Sequence, residues 1–476
     1  MYAQVYYLIK VQGGYLDPIS SRIGLKQGGV LSSLLFNPYI DDIKDIFDDS
    51  CHPIDILEIT FSHLLYADDL ILLSKTEAGL NICLKKLAQY CDKWHLEVNV
   101  KKSKVIIFNQ TGKMLVGNNF YLRGVRLEQV KTYCYLGIEI SCSGSFRTAR
   151  TNLVEKASKA MFPLRSTISQ FNISCRSSIN LFHTFITPIA LYCSEVWNYF
   201  TFGQISAIEQ KKVTLFTLMT STEVGRVHQK ILKFILGVNS SCSNTATLGE
   251  LGEFPLALFG YIRLLKFWHR TANLSENILV KLALNLQKRD SNQFEWISSV
   301  KFLLKYIGMQ GYFDNPETIR NTTFSKLCHA KLKDICTAQW RSRLANEPKL
   351  WFYRLFKTEF QFENYLEIIP SYQLRKSITK FRCSDHKLEI ETGRHRNKPI
   401  NERICKMCNS EVETEEHFLR WCTMYKDLRE KYFGKPSTFK HWVTILKCSD
   451  KKMTFNLVNY IRKALKIRNN QIQTIC

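Results

Sequence analysis

Two constellations in this 476-residue chain contain residue types that do chemistry. The first is Asp68-Asp69, adjacent carboxylates in Tyr66-Ala67-Asp68-Asp69 with apolar runs on both sides. Residues along a strand alternate faces, but a tight turn between two strands can aim neighbouring carboxylates at one point. Two hard oxygen donors at one point suit Mg²⁺, whose octahedron is completed by substrate phosphates and water. Taken alone, the pair also fits a solvated hairpin turn. The second constellation is Cys405, Cys408, His417 and Cys422, spaced C-x2-C-x8-H-x4-C in NERICKMCNSEVETEEHFLRWCTMY. A CxxC turn sets two thiolates on a metal at about 2.3 Å, and a His and a Cys on a following helical segment complete a tetrahedron, as in structural Zn²⁺ sites. Four protein ligands leave no open position, so such a metal holds structure and does not activate water. The alternative is four unrelated residues in a chain with sixteen cysteines.

The acidic pair needs a scaffold, and FSHLLYADDLILLS reads as strand, tight turn and strand. Upstream, Tyr6 to about Ile23 reads as a hairpin around Gly13-Gly14. GLKQGGVLSSLLFNPYIDDIKDIF then reads as a turn leading into a helix that buries Leu31, Leu34, Leu35 and Phe36 and that Pro38 kinks or ends early. After the pair, Leu80, Leu84, Leu87 and Tyr90 fall on one helical face. A strand, VIIFN, and a hairpin region, NNFYLRGVRLEQVKTYCYLGIEI, follow, and the alternation of strands and helices predicts a compact α/β or α+β unit. Beyond Gly144 the pattern turns helical, with Lys211 to Arg226, KKVTLFTLMTSTEVGR, reading as an insertion because its β-branched, Thr-rich make-up suits neither flank. The expected organisation is residues 1–145, a helical region 146–282, a basic helical linker 283–378, a Cys/His module 379–434 and a basic helical tail 435–476.

Charge sets the class of partner. With 66 Lys+Arg against 42 Asp+Glu the formal net charge is +24, a field that draws polyanions, either nucleic acid or an acidic membrane surface. An apolar content of 45% excludes disorder as the dominant state. The cysteines are spread from Cys51 to Cys476, which excludes a small disulfide scaffold. The N-terminus shows no secretory signal, and LFHTFITPIALYC is too short to span a bilayer, so nucleus or cytoplasm is expected and secretion is not. Around the Cys/His set, Arg382, Arg394, Arg396, Lys398, Arg403, Lys406 and Arg420 with Phe418 and Trp421 read as a basic, aromatic surface for single-stranded RNA or DNA.

The order GLKQGG, helix, YADD between apolar strands, WHLEVNVKKSK and YLGIEI resembles the second half of a reverse transcriptase palm, nearest to the enzymes of non-LTR (LINE-like) retrotransposons. LYCSEVW, VHQKILKFILGV and LGELGEFPLALFGYIRLLKFW resemble thumb and post-thumb stations of those elements. Gly393, Arg394, Arg403, Glu415, Glu416 and the HFLRWC ending resemble their C-terminal zinc-binding segment. The resemblance implies an α+β chain with a partial right-hand polymerase palm, a helical thumb and linker, and a small zinc module. By the same resemblance Gly24, Gln27 and Gly28 match a turn that lies against template and incoming nucleotide. Tyr66, Ala67, Asp68 and Asp69 match the box whose aspartates hold catalytic Mg²⁺. Asn99, Lys102, Ser103 and Lys104 match a later palm motif, with Lys102 near the leaving pyrophosphate or the template backbone. Tyr135, Leu136 and Gly137 match the hairpin that grips the primer end. Implied partners are an RNA template, a DNA primer and, if the chain is active, dNTPs, with no membrane; protein partners are left open. Lys159, Arg165, Lys230 and Lys233 are either phosphate contacts or a solvated helix face, and Glu415 is expected to orient a zinc ligand.

Departures from the family pattern shape the functional expectation. The family's first catalytic aspartate lies upstream of the QG turn, whereas twenty-three residues precede Gly24 here and the aspartate among them, Asp17, stands in a turn-like GGYLDPIS. The fingers region is not represented, Ser33 stands where proline is usual, and Met1 reads as an internal methionine of a longer frame. The expectation is a 5′-truncated reverse transcriptase that does not extend primers alone, since each ~1.4 kcal/mol of lost transition-state stabilisation costs tenfold in rate. The alternative is a non-catalytic RNA- or DNA-binding protein acting through its thumb and zinc module.

Overall fold

Thr76 opens the helix Glu77–Lys93 by accepting a bond from Gly79 N at 3.0 Å, and this helix organises the first part of the chain. Its buried face carries Leu84, Leu87 and Tyr90, as the three- and four-residue spacing predicts, with Leu80 partly covered. Leu84 packs with Val105, Phe120, Leu122 and Leu127; one turn further along, Leu87, Tyr90 and Cys91 pack with Ile43. In this computed structural model residues 5–21, 29, 31–57, 59–115, 117–291, 293–434 and 439–475 are described. Gly24, Gln27 and Gly28 lie outside the described residues. The chain forms two compact units, Met1–Phe146 and Arg147–Cys476.

In the first unit the described strands pair in twos, forming seven short ladders. Val5–Tyr7 with Ile19–Ser21 and Lys10–Val11 with Gly14–Tyr15 form the hairpin expected around Gly13-Gly14. The helix Ser32–Tyr39 ends one residue after Pro38, whose ring removes a helical donor. Leu31, Leu34 and Leu35, expected on its buried face, are exposed. His63–Tyr66 pairs with Asp69–Leu72, the acidic hairpin; Thr132–Tyr135 pairs with Ile138–Ser141, the aromatic hairpin. The expected VIIFN strand is shorter, Lys104–Val105, and runs parallel to Glu128–Gln129.

The second unit is helical, and the expected divisions near 282, 378 and 434 fall inside it. Trp197, Trp268 and Trp340 are fully buried in it. Lys211 to Arg226 does not break the helical pattern: Leu215–Ser221 and Glu223–Leu236 are helices in close succession. The threonines that suggested an insertion cap them, Thr214 accepting from Thr217 N at 3.2 Å and Thr222 from Gly225 N at 3.0 Å. A buried ionic knot ties helix Asn244–Leu251 to helix Tyr372–Arg382: Arg382 Nη2 donates to Glu250 Oε1 at 2.9 Å and to Glu363 Oε2 at 2.5 Å. Tyr365 Oη donates to Glu250 Oε2 at 2.5 Å and Lys357 Nζ to Glu363 Oε1 at 2.5 Å. The protein thus mixes helices with small sheets, an α+β chain. No helix among the described residues is long and apolar enough to cross a membrane.

Candidate metal centres and nucleic-acid interface

The acidic hairpin closes on the pair Tyr66↔Asp69, leaving Ala67 and Asp68 as a two-residue turn. Ala67 sits at φ 53, a left-handed conformation that costs a residue with a Cβ about 1–2 kcal/mol and that glycine normally supplies in such turns. The turn projects Tyr66, Ala67, Asp68 and Asp69 to the surface, all four exposed. Two solvent-facing carboxylates on consecutive residues are suitable oxygen donors for Mg²⁺. Among the described residues no third His, Cys, Asp or Glu joins them in a tight ligand cluster.

The aromatic hairpin turns through Leu136 at φ 46 and Gly137 at φ 82, so both central residues are left-handed, as a type I′ turn requires. Leu136 is 39% exposed, an apolar tip in a position that disfavours a β-carbon. Burial raises the Tyr135 phenol above its ordinary 10, and the charge of Asp69 and the nearby Tyr66 add to the shift. Tyr135 therefore lies within the field of the acidic turn. Tyr133 Oη donates to Lys102 O at 3.2 Å, which attaches the Lys102 loop to the same hairpin. That loop is shaped by Asn99, whose Oδ1 accepts from Lys102 N at 3.2 Å and whose carbonyl accepts from Ser103 Oγ at 3.0 Å. Lys102 is exposed, while Lys104 Nζ pairs with Glu128 Oε2 at 2.6 Å. Tyr133 was missed by sequence reasoning; the two-residue strand period, which puts it on the face of Tyr135, was the available signal.

The second constellation converges. One ligand atom from each of Cys405, Cys408, His417 and Cys422 lies within 4.8 Å of the others. The Sγ atoms of Cys405 and Cys422 are 3.9 Å apart, and Cys408 Sγ is 3.4 Å from His417 Nε2. Tetrahedral zinc with Zn–S of ~2.3 Å and Zn–N of ~2.0 Å implies edges of roughly 3.8 and 3.5 Å, so the cage already has the size of that ion. The CxxC turn closes through Asn409, left-handed at φ 54, whose N donates to Cys405 O at 2.8 Å. His417 Nδ1 lies 3.0 Å from Glu411 Oε2, which fixes the ring with Nε2 toward the sulfurs. Burial opposes a charge on His417, but bonds with Cys405 and Glu411 outweigh it and raise the imidazole to about 9. Glu415, expected to orient a ligand, is instead buried against Ser384 Oγ at 3.0 Å and His386 Nε2 at 3.1 Å. Glu411, unnoticed in the sequence, has the orienting position.

Several residues of the expected basic surface are interior. Arg382 is the fully buried centre of the ionic knot, and Phe418 is fully buried as well. Arg403 is 8% exposed, with Nη1 on Ile390 O at 3.0 Å and Nε and Nη2 on Lys398 O at 3.0 and 2.8 Å. A β-carbon on Gly393 would stand 2.6 Å from Arg403 Cγ, so glycine there makes room for the arginine stem. A guanidinium held by carbonyls is unavailable to phosphate, which removes Arg403 from the interface. Arg420 is ion-paired with Glu416 and lies 4.3 Å over the ring of Trp421, a residue that is 56% exposed. Arg394 pairs with Glu391 at 3.1 Å and Lys406 with Glu389 at 2.9 Å, whereas Arg396 and Lys398 are exposed. Of the helical cations, Lys159 and Lys230 are exposed. Arg165 donates to Lys230 O at 3.1 Å and Lys233 to Ser240 O at 2.8 Å.

Residues 2–140 match the reverse transcriptase (RNA-dependent DNA polymerase) family. The chain is 26% identical over 198 residues to a probable RNA-directed DNA polymerase from transposon BS of Drosophila melanogaster, covering 40% of this chain and 21% of that protein. It is 25% identical over 138 residues to a putative uncharacterized transposon-derived protein of Caenorhabditis elegans, covering 29% of this chain and 49% of the relative. The chain thus spans about a fifth and about half of the lengths of these two relatives.

Proposed function

We propose that this chain, whose first 140 residues are similar to retrotransposon reverse transcriptases, provides the polymerase palm, thumb and zinc module of a non-LTR enzyme, with Asp68 and Asp69 as two of its Mg²⁺-binding carboxylates. The observation that supports this best is the match of residues 2–140 to the reverse transcriptase family, together with the exposure of Asp68 and Asp69 at one hairpin turn. The reaction is attack of a primer 3′-hydroxyl on a dNTP α-phosphate, directed by an RNA template. Bound Mg²⁺ would lower the pKa of that hydroxyl and offset the charge on the phosphates. Asp68 and Asp69 would hold the ion, and Leu136 and Gly137 would bear on the primer end. The exposed Lys102 faces the pyrophosphate or the template backbone. Gly24, Gln27 and Gly28 keep their proposed place against template and nucleotide.

Two-metal transfer needs a further carboxylate opposite the pair, and none clusters with it among the described residues. The isolated chain is therefore expected not to extend a primer. Primer extension on RNA with Mg²⁺ and dNTPs tests this. Extension that Asp68→Asn abolishes would overturn the inactivity and establish the active site. Salt-sensitive RNA binding without extension selects the second reading, a nucleic-acid-binding protein, which the exposed Arg396, Lys398 and Trp421 favour.

Cys405, Cys408, His417 and Cys422 fit structural zinc by donor type and spacing of atoms. Zinc missing after native purification, or RNA affinity unchanged by Cys405→Ser with Cys408→Ser, would count against a zinc-dependent interface. The proposed compartment is nucleus or cytoplasm, where thiolates stay reduced.

A further inference from the structure

Away from both constellations, three side chains of the helical unit meet: His183 on helix Cys175–Phe185, His228 on helix Glu223–Leu236, and Glu253 just beyond helix Asn244–Leu251. One ligand atom from each lies within 4.8 Å of the other two. His183 is well provided for. Its Nε2 is 3.0 Å from Glu253 Oε2 and its Nδ1 is 3.2 Å from Thr187 Oγ1.

His228 is not. It is 1% exposed, stacked on Phe182 at 5.4 Å, and neither ring nitrogen has a hydrogen-bond partner. A buried polar group left unpaired costs about 1–3 kcal/mol, and buried polar atoms in folded proteins are nearly always satisfied. A position that needed only bulk could hold leucine or phenylalanine at no such cost. Burial, reinforced by the nearby His183, disfavours the charged imidazolium.

We propose that His183, His228 and Glu253 form a further metal site, for a divalent cation of the zinc class with water in the fourth position. Two imidazoles and a carboxylate are an established donor set for that ion, and three protein ligands leave one position open. The His183–Glu253 edge of 3.0 Å is already near the roughly 3.3 Å that bonds of ~2.0–2.1 Å require, and a ligand atom of His228 lies within 4.8 Å of both. Thr187 steadies His183 through Nδ1 and leaves Nε2 for the ion. The His183 and Glu253 side chains are 31% and 19% exposed, which gives the ion a way in and the water a place. A loaded site ties two helices and the segment after a third, from parts of the chain 45 and 25 residues apart in sequence (183 to 228, 228 to 253).

The test is metal stoichiometry and spectroscopy on the full chain, stripped with chelator and reloaded with zinc or cobalt alone. Two equivalents are expected. His183→Gln and Glu253→Gln should each bind one fewer, while the thiolate-to-cobalt charge-transfer band of the Cys/His cage persists. These two side chains are partly exposed and their replacements are polar, and an unchanged far-ultraviolet circular dichroism spectrum verifies that the variants fold. The inference is overturned if cobalt gives only the thiolate-bearing centre, or if both variants keep the wild-type stoichiometry. Loss of the thiolate band alone would instead refute the Cys/His cage and leave this site standing.

Discussion

Arg468 should hold the C-terminal helix onto the Cys/His module, and Arg468→Met should release it. Along helix Lys451–Ile475 the buried stripe Leu457, Ile461, Ala464 ends at Arg468. There the guanidinium meets Glu413 twice, Nε on Oε1 and Nη2 on Oε2, each at 2.6 Å. The side chains are 3% and 1% exposed, and Glu413 also accepts Glu389 N at 2.6 Å. Removing one partner of a buried pair strands the other charge in a low dielectric, a loss of about 3–5 kcal/mol. At tenfold per ~1.4 kcal/mol, amide exchange across the helix and the Cys405–Cys422 segment should speed up roughly 100- to 1000-fold or more. A single melting temperature would not report this, because a chain of two units need not unfold in one step. Exchange read by mass spectrometry does, peptide by peptide. Adding Glu413→Gln should recover part of the protection, since the amide carbonyl still accepts from Glu389 N and no carboxylate remains unpaired. An acceleration below about tenfold in Arg468→Met, or no recovery in the double variant, would refute the reasoning.

The ionic knot predicts an acid limit for the helical unit. Burial opposes ionisation of Glu250, yet Arg382 outweighs it and holds the carboxyl below its ordinary 4.5. A depressed folded-state pKa gives stability that is present above the unfolded value and lost as pH falls through the folded one. Near-ultraviolet circular dichroism of the buried tryptophans should therefore weaken below pH 4.5, and Glu250→Gln should destabilise the unit by about 3–5 kcal/mol at neutral pH. A Glu250→Gln unit as stable as wild type would contradict this. At the module, Arg403→Met should cost about 1.5–3 kcal/mol per lost charge-assisted bond and leave the intrinsic RNA contacts alone. Trp421→Ala should do the reverse, weakening single-strand binding by about 1–3 kcal/mol with hydrogen exchange unchanged. Fluorescence-anisotropy titrations paired with exchange on the same variants separate the two.

Much of the local structure was legible because short-range rules governed it. Apolar runs either side of Ala67-Asp68 permit little but a hairpin, and the spacing Leu84, Leu87, Tyr90 fixes a helical face whatever packs on it. The CxxC turn is legible too, since a loop of that length brings its own sulfurs together. Failures came where a residue's role depended on a distant partner. Arg382 reads as surface charge until Glu250, 132 residues away, is placed against it. Arg403 reads as a phosphate ligand until the carbonyls of Ile390 and Lys398 surround it. Glu411 and Glu415 stand four apart in an acidic run, and only the fold decides which one faces His417. The threonines of Lys211 to Arg226 made the segment read as an insertion for a different reason: β-branched residues are poor in helix interiors, but at Thr214 and Thr222 the hydroxyl caps a helix and the branching is irrelevant.

The buried arginines also change what the charge of +24 means. Arg382 and Arg468 are neutralised by carboxylates and contribute little to the field of the protein. Arg375 and Arg403 are bound mainly by backbone carbonyls, which accept from their guanidinium groups without cancelling their charge. Such cations attract a polyanion from a distance yet cannot touch a phosphate. Long-range steering follows total charge, whereas the salt dependence of affinity counts phosphates neutralised at contact, with a slope near −0.7 per phosphate for single strands. A measured slope for single-stranded RNA should therefore be far below what the net charge suggests. It should fall further on substitution of exposed cations such as Arg396 and Lys398 but not of Arg375. If Arg375→Met lowered the slope as much as Arg396→Ala in folded protein, the separation between steering and contacting cations would be wrong.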